Sequence, residues 1–446
     1  MLIARRPGRF AVLCAVGIAW LMGEATAQQA SVRAAEPAPA HADQGRAILS
    51  KGDELFRRQW TLEDPRSPAG DGLGPVFNER SCVNCHDLGG AGGAGRLGKN
   101  IDLITPASLD GRDVTSPGFL YAFSFQYGPQ GFEYRIGTPA GQANRPARPD
   151  PQLVARLVQL HPGFDSAPAV LLHRYGNDRD YLAWREWLLG PHGSLSFRLS
   201  QRNPTPLFGM GLVDAIPDEV IEAGARRRVS GWPSVNGRVS RLPDGRVGRY
   251  GWKAQTATLR EFVLSAAAME MGLHVPGHAQ AADPRVPILP PPGLDLDRAD
   301  CDALVAYVRS LPAPVVRLAA TARESRDLKA GKSLFRSAGC AACHVPKLGD
   351  VEGLYSDLLL HEMASELSDT GVYGALLSGV RERPPAKAGV ALPVDARRPA
   401  LDNEWRTPPL WGLRDPLPIF TTAGATIDEA VRMHGGEVGS VRPVAS

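Results

Sequence analysis

The chain has 446 residues, with 50 Lys and Arg against 47 Asp and Glu, a formal net charge of +3. So even a balance, without clustered basic residues, excludes a nucleic-acid surface, and the length is ample for two or three domains. Four of the six cysteines sit in two Cys-x-x-Cys-His motifs, and a disulfide scheme would not explain the histidine that follows each pair.

Residues 1–27 read as a secretory signal. Arg5, Arg6 and Arg9 supply positive charge, residues 10–22 are mostly apolar, and Ala25-Thr26-Ala27 is a small-residue cleavage site. The apolar run is shorter than the ~20 residues of a comfortable membrane span, although an uncleaved anchor is the alternative. The expected location is the periplasm, with no stable span after cleavage. Residues 28–42, rich in Ala, Pro and Gln, are expected to form a flexible leader.

A helix is expected from near Ala42, with Ile48, Leu49, Leu55 and Phe56 on its apolar face, and Asp71-Gly72-Leu73-Gly74-Pro75 breaks it. Residues 87–250 read as a long mixed, loop-rich insertion. It holds a glycine-rich piece at 89–98, an aromatic strand-like run at 119–127 and a helix-like stretch at 180–189. Helices follow at 256–271 and 297–311; in the second, Leu304, Tyr307, Val308 and Leu311 have amphipathic spacing. Residues 313–322 read as a linker.

The chain then repeats itself. Gly52-Asp53-Glu54-Leu55-Phe56 matches Gly331-Lys332-Ser333-Leu334-Phe335. The stretch Arg202-Asn203-Pro204-Thr205-Pro206-Leu207-Phe208-Gly209 is echoed by Arg406-Thr407-Pro408-Pro409-Leu410-Trp411-Gly412, and Ala257-Thr258-Leu259-Arg260-Glu261 by Ala425-Thr426-Ile427-Asp428-Glu429. The shared order points to duplication.

Each half carries one Cys-x-x-Cys-His motif, Cys82-Val83-Asn84-Cys85-His86 and Cys340-Ala341-Ala342-Cys343-His344. The two cysteines of such a motif can form thioethers to haem vinyl groups while the histidine ligates the iron. Zinc is the rival, but it would want a second ligand pair nearby, which neither motif has. Cys14 leaves with the signal, and the lone Cys301 is read as a small buried apolar residue. The fold expected is mainly α: two cytochrome c-like haem domains related by duplication, 43–312 with the insertion and 323–446.

The far side of each iron separates electron storage from substrate chemistry. When Thr258 is aligned with Thr426, His434 of the second half corresponds to Ala266 of the first. His434 is therefore the expected distal ligand of the second haem, with Met433 the neighbouring alternative, and the first haem is left open at Ala266. Glu270 lies one turn beyond Ala266 on the same helix face. A carboxylate there would move the proton of hydrogen peroxide, and a mostly apolar pocket would push its pKa towards neutral. Trp252 is the expected relay between the haems, against the plainer reading of interface packing.

These motifs resemble the bacterial di-haem cytochrome c peroxidase superfamily, and most closely its putative-peroxidase branch of di-haem or thiol oxidoreductases. The resemblance rests on Asp71-Gly72-Leu73-Gly74-Pro75-Val76-Phe77-Asn78, Trp252-Lys253-Ala254-Gln255, Glu270-Met271-Gly272, Tyr355-Ser356-Asp357-Leu358-Leu359-Leu360-His361 and the Arg406–Gly412 stretch. It implies an inter-haem role for Trp252, an acid/base role for Glu270 and a distal-ligand role for His434. It also implies one calcium ion, to which the carbonyls of Thr407 and Pro409 would contribute. His361 is placed at a haem propionate or an iron, or is a satisfied core histidine.

The chain departs from the superfamily in having Phe262 where its peroxidases carry a pocket glutamine, and Phe420-Thr421-Thr422-Ala423-Gly424 in place of Phe-His-Asp-Gly. The function implied is peroxide reduction at the first haem, with electrons delivered through the second by a small cytochrome or copper protein. The alternatives are a pure electron carrier, with a residue such as Met210 closing the first haem, and oxidation of an organic or protein substrate.

Overall fold

The computed structural model describes residues 39–108, 122–128, 131–137, 151–165, 169–232, 235–286, 290–315, 319–363 and 403–411. The signal, most of the leader, Ala425–Glu429, Met433 and His434 therefore lie outside the described residues. By contacts the chain divides into Met1–Gly45 and Arg46–Ser446.

Nine α-helices are present among the described residues: α1 (Pro39–Arg57), α2 (Cys82–Cys85), α3 (Pro151–Leu160), α4 (Tyr181–Leu188), α5 (Met210–Asp214), α6 (Asp218–Ala225), α7 (Leu259–Glu270), α8 (Arg298–Ser310) and α9 (Ala322–Ser337). None among them is long and apolar enough to cross a membrane. α1 begins at Pro39, inside the stretch expected to be a flexible leader.

Only part of the apolar face expected for α1 is buried. Leu55 and Phe56 are in the core, whereas Ile48 and Leu49 are 42% and 39% exposed. The reason is where α8 crosses. A Cβ on Gly52 would lie 2.1 Å from the Ala303 carbonyl oxygen, so the two backbones meet at that glycine. The apolar contact falls C-terminal to the crossing, where Phe56 and Tyr307 rings lie 5.3 Å apart.

α7 starts where its sequence says it should. Thr258 accepts from the Glu261 amide while Glu261 reaches back to the Thr258 amide, a reciprocal cap. Asp297 caps α8 in the simpler way, through the Asp300 amide. α5, α7 and α8 share one core with Leu55, Phe56, Leu354, Leu358, Leu359 and Trp411. Cys301 is fully buried there, as its sequence reading required.

The segment between the first motif and α7 carries more regular structure than loops alone. Ile101–Ser108 pairs antiparallel with Leu195–Arg202 and with Val170–Leu171, and Ala122–Gly128 pairs with Gly131–Gly137. A second three-stranded sheet matters most for the site. Leu360–Glu362 is its middle strand, between Glu404–Arg406 and Gly237–Arg238. The bidentate Arg238–Glu404 pair, at 2.6 and 2.5 Å, ties its two edges.

Candidate functional site

Both cysteine–histidine motifs fold as tight turns that aim the histidine in the same way. In the first, α2 carries Cys82 and Cys85, and the His86 amide returns to the Cys82 carbonyl at 3.1 Å. In the second, a 3₁₀ turn over Cys340–Ala342 brings the His344 amide to the Cys340 carbonyl at 2.9 Å. His86 Nδ1 lies 3.1 Å from the Gly93 carbonyl and His344 Nδ1 2.7 Å from the Tyr355 carbonyl. A carbonyl only accepts, so the Nδ1 that faces it carries the proton in both rings, the tautomer in which Nε2 is the ligating nitrogen.

The electrostatics of the first motif suit haem attachment better than zinc. Burial pushes the Cys82 and Cys85 thiols up to about 12, with Glu270 and Glu79 adding to the effect at Cys85. Zinc takes the thiolate, so it would have to displace both of these protons before binding. Burial pushes His86 down to about 4 against the opposing carbonyls of Gly93 and Thr205, so the ring stays neutral, the form that binds a metal. No group of three or more His, Cys, Asp or Glu fit for a metal ion occurs among the described residues. None of the four motif cysteines is in a disulfide. This donor set fits a covalently held haem at each motif.

Glu270 ends α7 beside the first motif. Its charge acts on Cys85, and the next residue, Met271, puts Sδ 4.0 Å from Cys82 Sγ. After Phe262 α7 is buried except at Ala266 and Glu270, which with the partly buried Phe262 form one stripe at i, i+4, i+8. Met269 and Met271 on either side are core residues. Phe262 stacks on Tyr250 with ring centroids 5.5 Å apart. Met210, at the start of α5, is buried in the main core.

The Glu270 carboxyl is held by Asn78, for which the sequence suggested no role. Asn78 Nδ2 donates to Glu270 Oε2 at 2.7 Å, and the Asn78 amide donates to the Glu270 carbonyl at 2.6 Å. The Arg174 amide donates to Asn78 Oδ1 at 2.9 Å, which fixes which way the side-chain amide points. The only available signal was the place of Asn78 at the end of the Asp71–Asn78 stretch.

Trp252 sits between the two copies of the repeated arginine peptide. Its Nε1 donates to the Asn203 carbonyl at 3.2 Å, and its own carbonyl accepts from the Arg406 amide at 3.0 Å. Asn203 Nδ2 donates in turn to the Gly95 carbonyl, two residues from the carbonyl that pins His86. Trp252 also meets Trp405 edge-on, with centroids 6.5 Å apart at 82°. Trp405 was not singled out from the sequence. Its position directly before the repeated arginine is the signal that could have found it.

At the second motif His344 is buried, and Phe335 of the repeated Gly-x-x-Leu-Phe segment lies edge-on to it at 6.5 Å. His361 is beside it. Its Nδ1 is 3.5 Å from Cys343 Sγ and its Nε2 2.9 Å from Asp357 Oδ2. Burial alone would lower the His361 pKa, but Asp357 and the Cys343 sulfur outweigh it and raise the ring to about 10.

Of the two carbonyls expected at a calcium ion, that of Thr407 does not fit the use. The Thr407 carbonyl accepts from Ser356 Oγ at 2.6 Å and from the buried Arg406 guanidinium at 3.2 Å. Both lone pairs are taken, one by a cation that would repel calcium.

The structure thus gathers Cys82, Cys85, His86 and Glu270 at one centre and Cys340, Cys343, His344 and His361 at another, with Trp252 joined to both sides by hydrogen bonds and ring contact. The model of the family described as "Di-haem oxidoreductase, putative peroxidase" matches residues 22–108, which include the first motif and Asn78. The match supports the di-haem peroxidase-like superfamily and, in general terms, an oxidoreductase that works with haem. No curated protein and no solved structure matches the chain.

Proposed function

We propose that this chain is an exported, periplasmic c-type oxidoreductase of two duplicated cytochrome c-like domains that reduces hydrogen peroxide to water at the first haem. Electrons enter through the second haem from a small cytochrome or copper protein. The observation that carries the reading is the matched pair of turns, each with a histidine pinned through Nδ1, combined with the Glu270 carboxyl beside Cys85 of the first turn. When bound, each haem supplies the electron-transfer chemistry that side chains lack.

The residues of the chain divide the remaining work. Cys82 and Cys85, and in the second half Cys340 and Cys343, tether the groups; His86 and His344 hold them through Nε2. Ala266 leaves room for a small oxygen substrate, where His434 closes the equivalent position of the second half. Glu270 Oε atoms take the proton from the near oxygen of peroxide and return it to the leaving oxygen. Asn78 keeps that carboxyl aimed, and the overall balance consumes two electrons and two protons per peroxide to give two waters. Calcium has no part in this account.

Steady-state turnover of the holoprotein with hydrogen peroxide and a reduced cytochrome tests the proposal. Peroxide-dependent oxidation of the donor is the expected result. Two low-spin irons that bind neither cyanide nor peroxide after one-electron reduction would replace it with a simple electron carrier. Turnover of an organic or protein substrate without peroxide reduction would replace it with an oxygenase-type enzyme.

A further inference from the structure

Beyond Trp252, residues paired across two strands lead towards the second centre. His361 Nδ1 stands 3.5 Å from Cys343 Sγ, and Asp357 holds the opposite nitrogen. His361 is directly opposite Trp405 in the antiparallel pairing of Leu360–Glu362 with Glu404–Arg406. Residues so placed project from the same face of the sheet, with Cβ atoms about 5 Å apart. Trp405 in turn meets Trp252 edge-on. The indole of Trp405 is 5% exposed, with Lys253 Nζ 3.8 Å from its centroid and the Arg202 guanidinium 4.9 Å from it.

The geometry points to Trp405 and His361 as the second-centre half of an inter-haem electron relay, linking the Cys343 thioether to Trp252. The inference rests on the two-haem reading above and adds the route to it. The step is a one-electron transfer. With haem bound, the group that His344 would hold would give up one electron and the group that His86 would hold would accept it, with no bond made or broken and no proton moved. The small cytochrome or copper donor already named would then restore the electron at the His344 side.

The charges around Trp405 define what kind of link it is. Two cations on its face stabilise the neutral ring and repel the positive charge of an oxidised one. Trp405 therefore passes an electron without itself resting in the oxidised state. A ring present only to fill space would need neither the line-up between sulfur and Trp252 nor the cations on its faces.

The test uses the holoprotein without peroxide, so that it does not depend on catalysis. A photo-excited flavin delivers one electron, and re-equilibration between the two haems is followed by their absorption. Trp405→Leu is expected to slow that step about tenfold or more, the equivalent of ~1.4 kcal/mol in barrier, with both haem spectra and midpoint potentials unchanged. A wild-type rate in Trp405→Leu overturns the inference. Should Trp405→Leu not fold, His361→Gln, which keeps a hydrogen-bonding side chain but removes the imidazole, is read in the same way: a slowed step supports the relay and an unchanged one overturns it. Finding fewer than two haems in the wild-type protein would sink the two-haem reading itself, whereas two haems with unchanged transfer in the variant sinks the relay alone.

Discussion

Glu270 and Asn78 form a unit whose two members fail differently. Glu270→Gln keeps the shape and the link to Asn78 but loses the exchangeable proton. Peroxide reduction should fall about 100-fold or more, the scale of one acid/base group. Unchanged turnover in a steady-state assay would remove Glu270 from the mechanism. Asn78→Ala leaves the carboxyl in place but no longer aimed by the 2.7 Å bond. Loss of ~1–2 kcal/mol of positioning corresponds to a drop of about five- to thirtyfold. The haem spectra should stay as in the wild type, which separates positioning from misfolding.

His361 yields a prediction in pH. Its folded pKa is raised despite burial, with the Asp357 carboxylate the main cause that survives thioether formation at Cys343, above the ~6.5 of an unfolded histidine. The pair's contribution to stability is therefore fully present below pH ~6.5 and is lost as pH rises through the raised folded pKa. The melting temperature should fall more steeply over that range in the wild type than in His361→Gln. Equal slopes would show that the pair does not titrate as described. At this scale the two Cys-x-x-Cys-His turns were legible in the sequence, because the motif is local. The sequence did not reveal Asn78 or Trp405, whose roles depend on Arg174 and on a cross-strand partner far away in the chain.

At the scale of elements, the two repeated glycines differ in what they face. A Cβ on Gly52 would meet the backbone of α8, whereas one on Gly331 in α9 meets nothing within 4 Å among the described residues. Gly52→Ala should destabilise the protein by about 1–3 kcal/mol through overpacking, and Gly331→Ala should be neutral or slightly stabilising, as in an exposed helix interior. Chemical denaturation of the two variants checks the contrast, and equal losses would contradict the crossing.

α7 and α8 could be read from periodicity and caps, and the structure bounds them within a few residues of 256–271 and 297–311. The outward turn of Ile48 and Leu49 could not be read, because it depends on where α8 crosses. Nor could the sheet that carries His361 and Trp405: its strands run for two or three residues, too short for an alternating pattern to register.

For the whole molecule, the repeated segments gave the order of the halves, and their packing shows one consequence of it. Trp252 is hydrogen-bonded to Asn203 of one arginine peptide and to Arg406 of the other. Duplication alone would make the centres alike; the proposed asymmetry comes from Ala266 in one half and His434 in the other. His434→Gly should alter the absorption of one haem only. Changes at both would dissolve the assignment of a closed and an open centre.

The count of covalently held haems tests the account most directly. After acid–acetone extraction and denaturation, a pyridine haemochrome assay together with intact mass should find two haems retained per chain. Haem that extracts freely, a single retained group, or zinc in its place would contradict the account at its root.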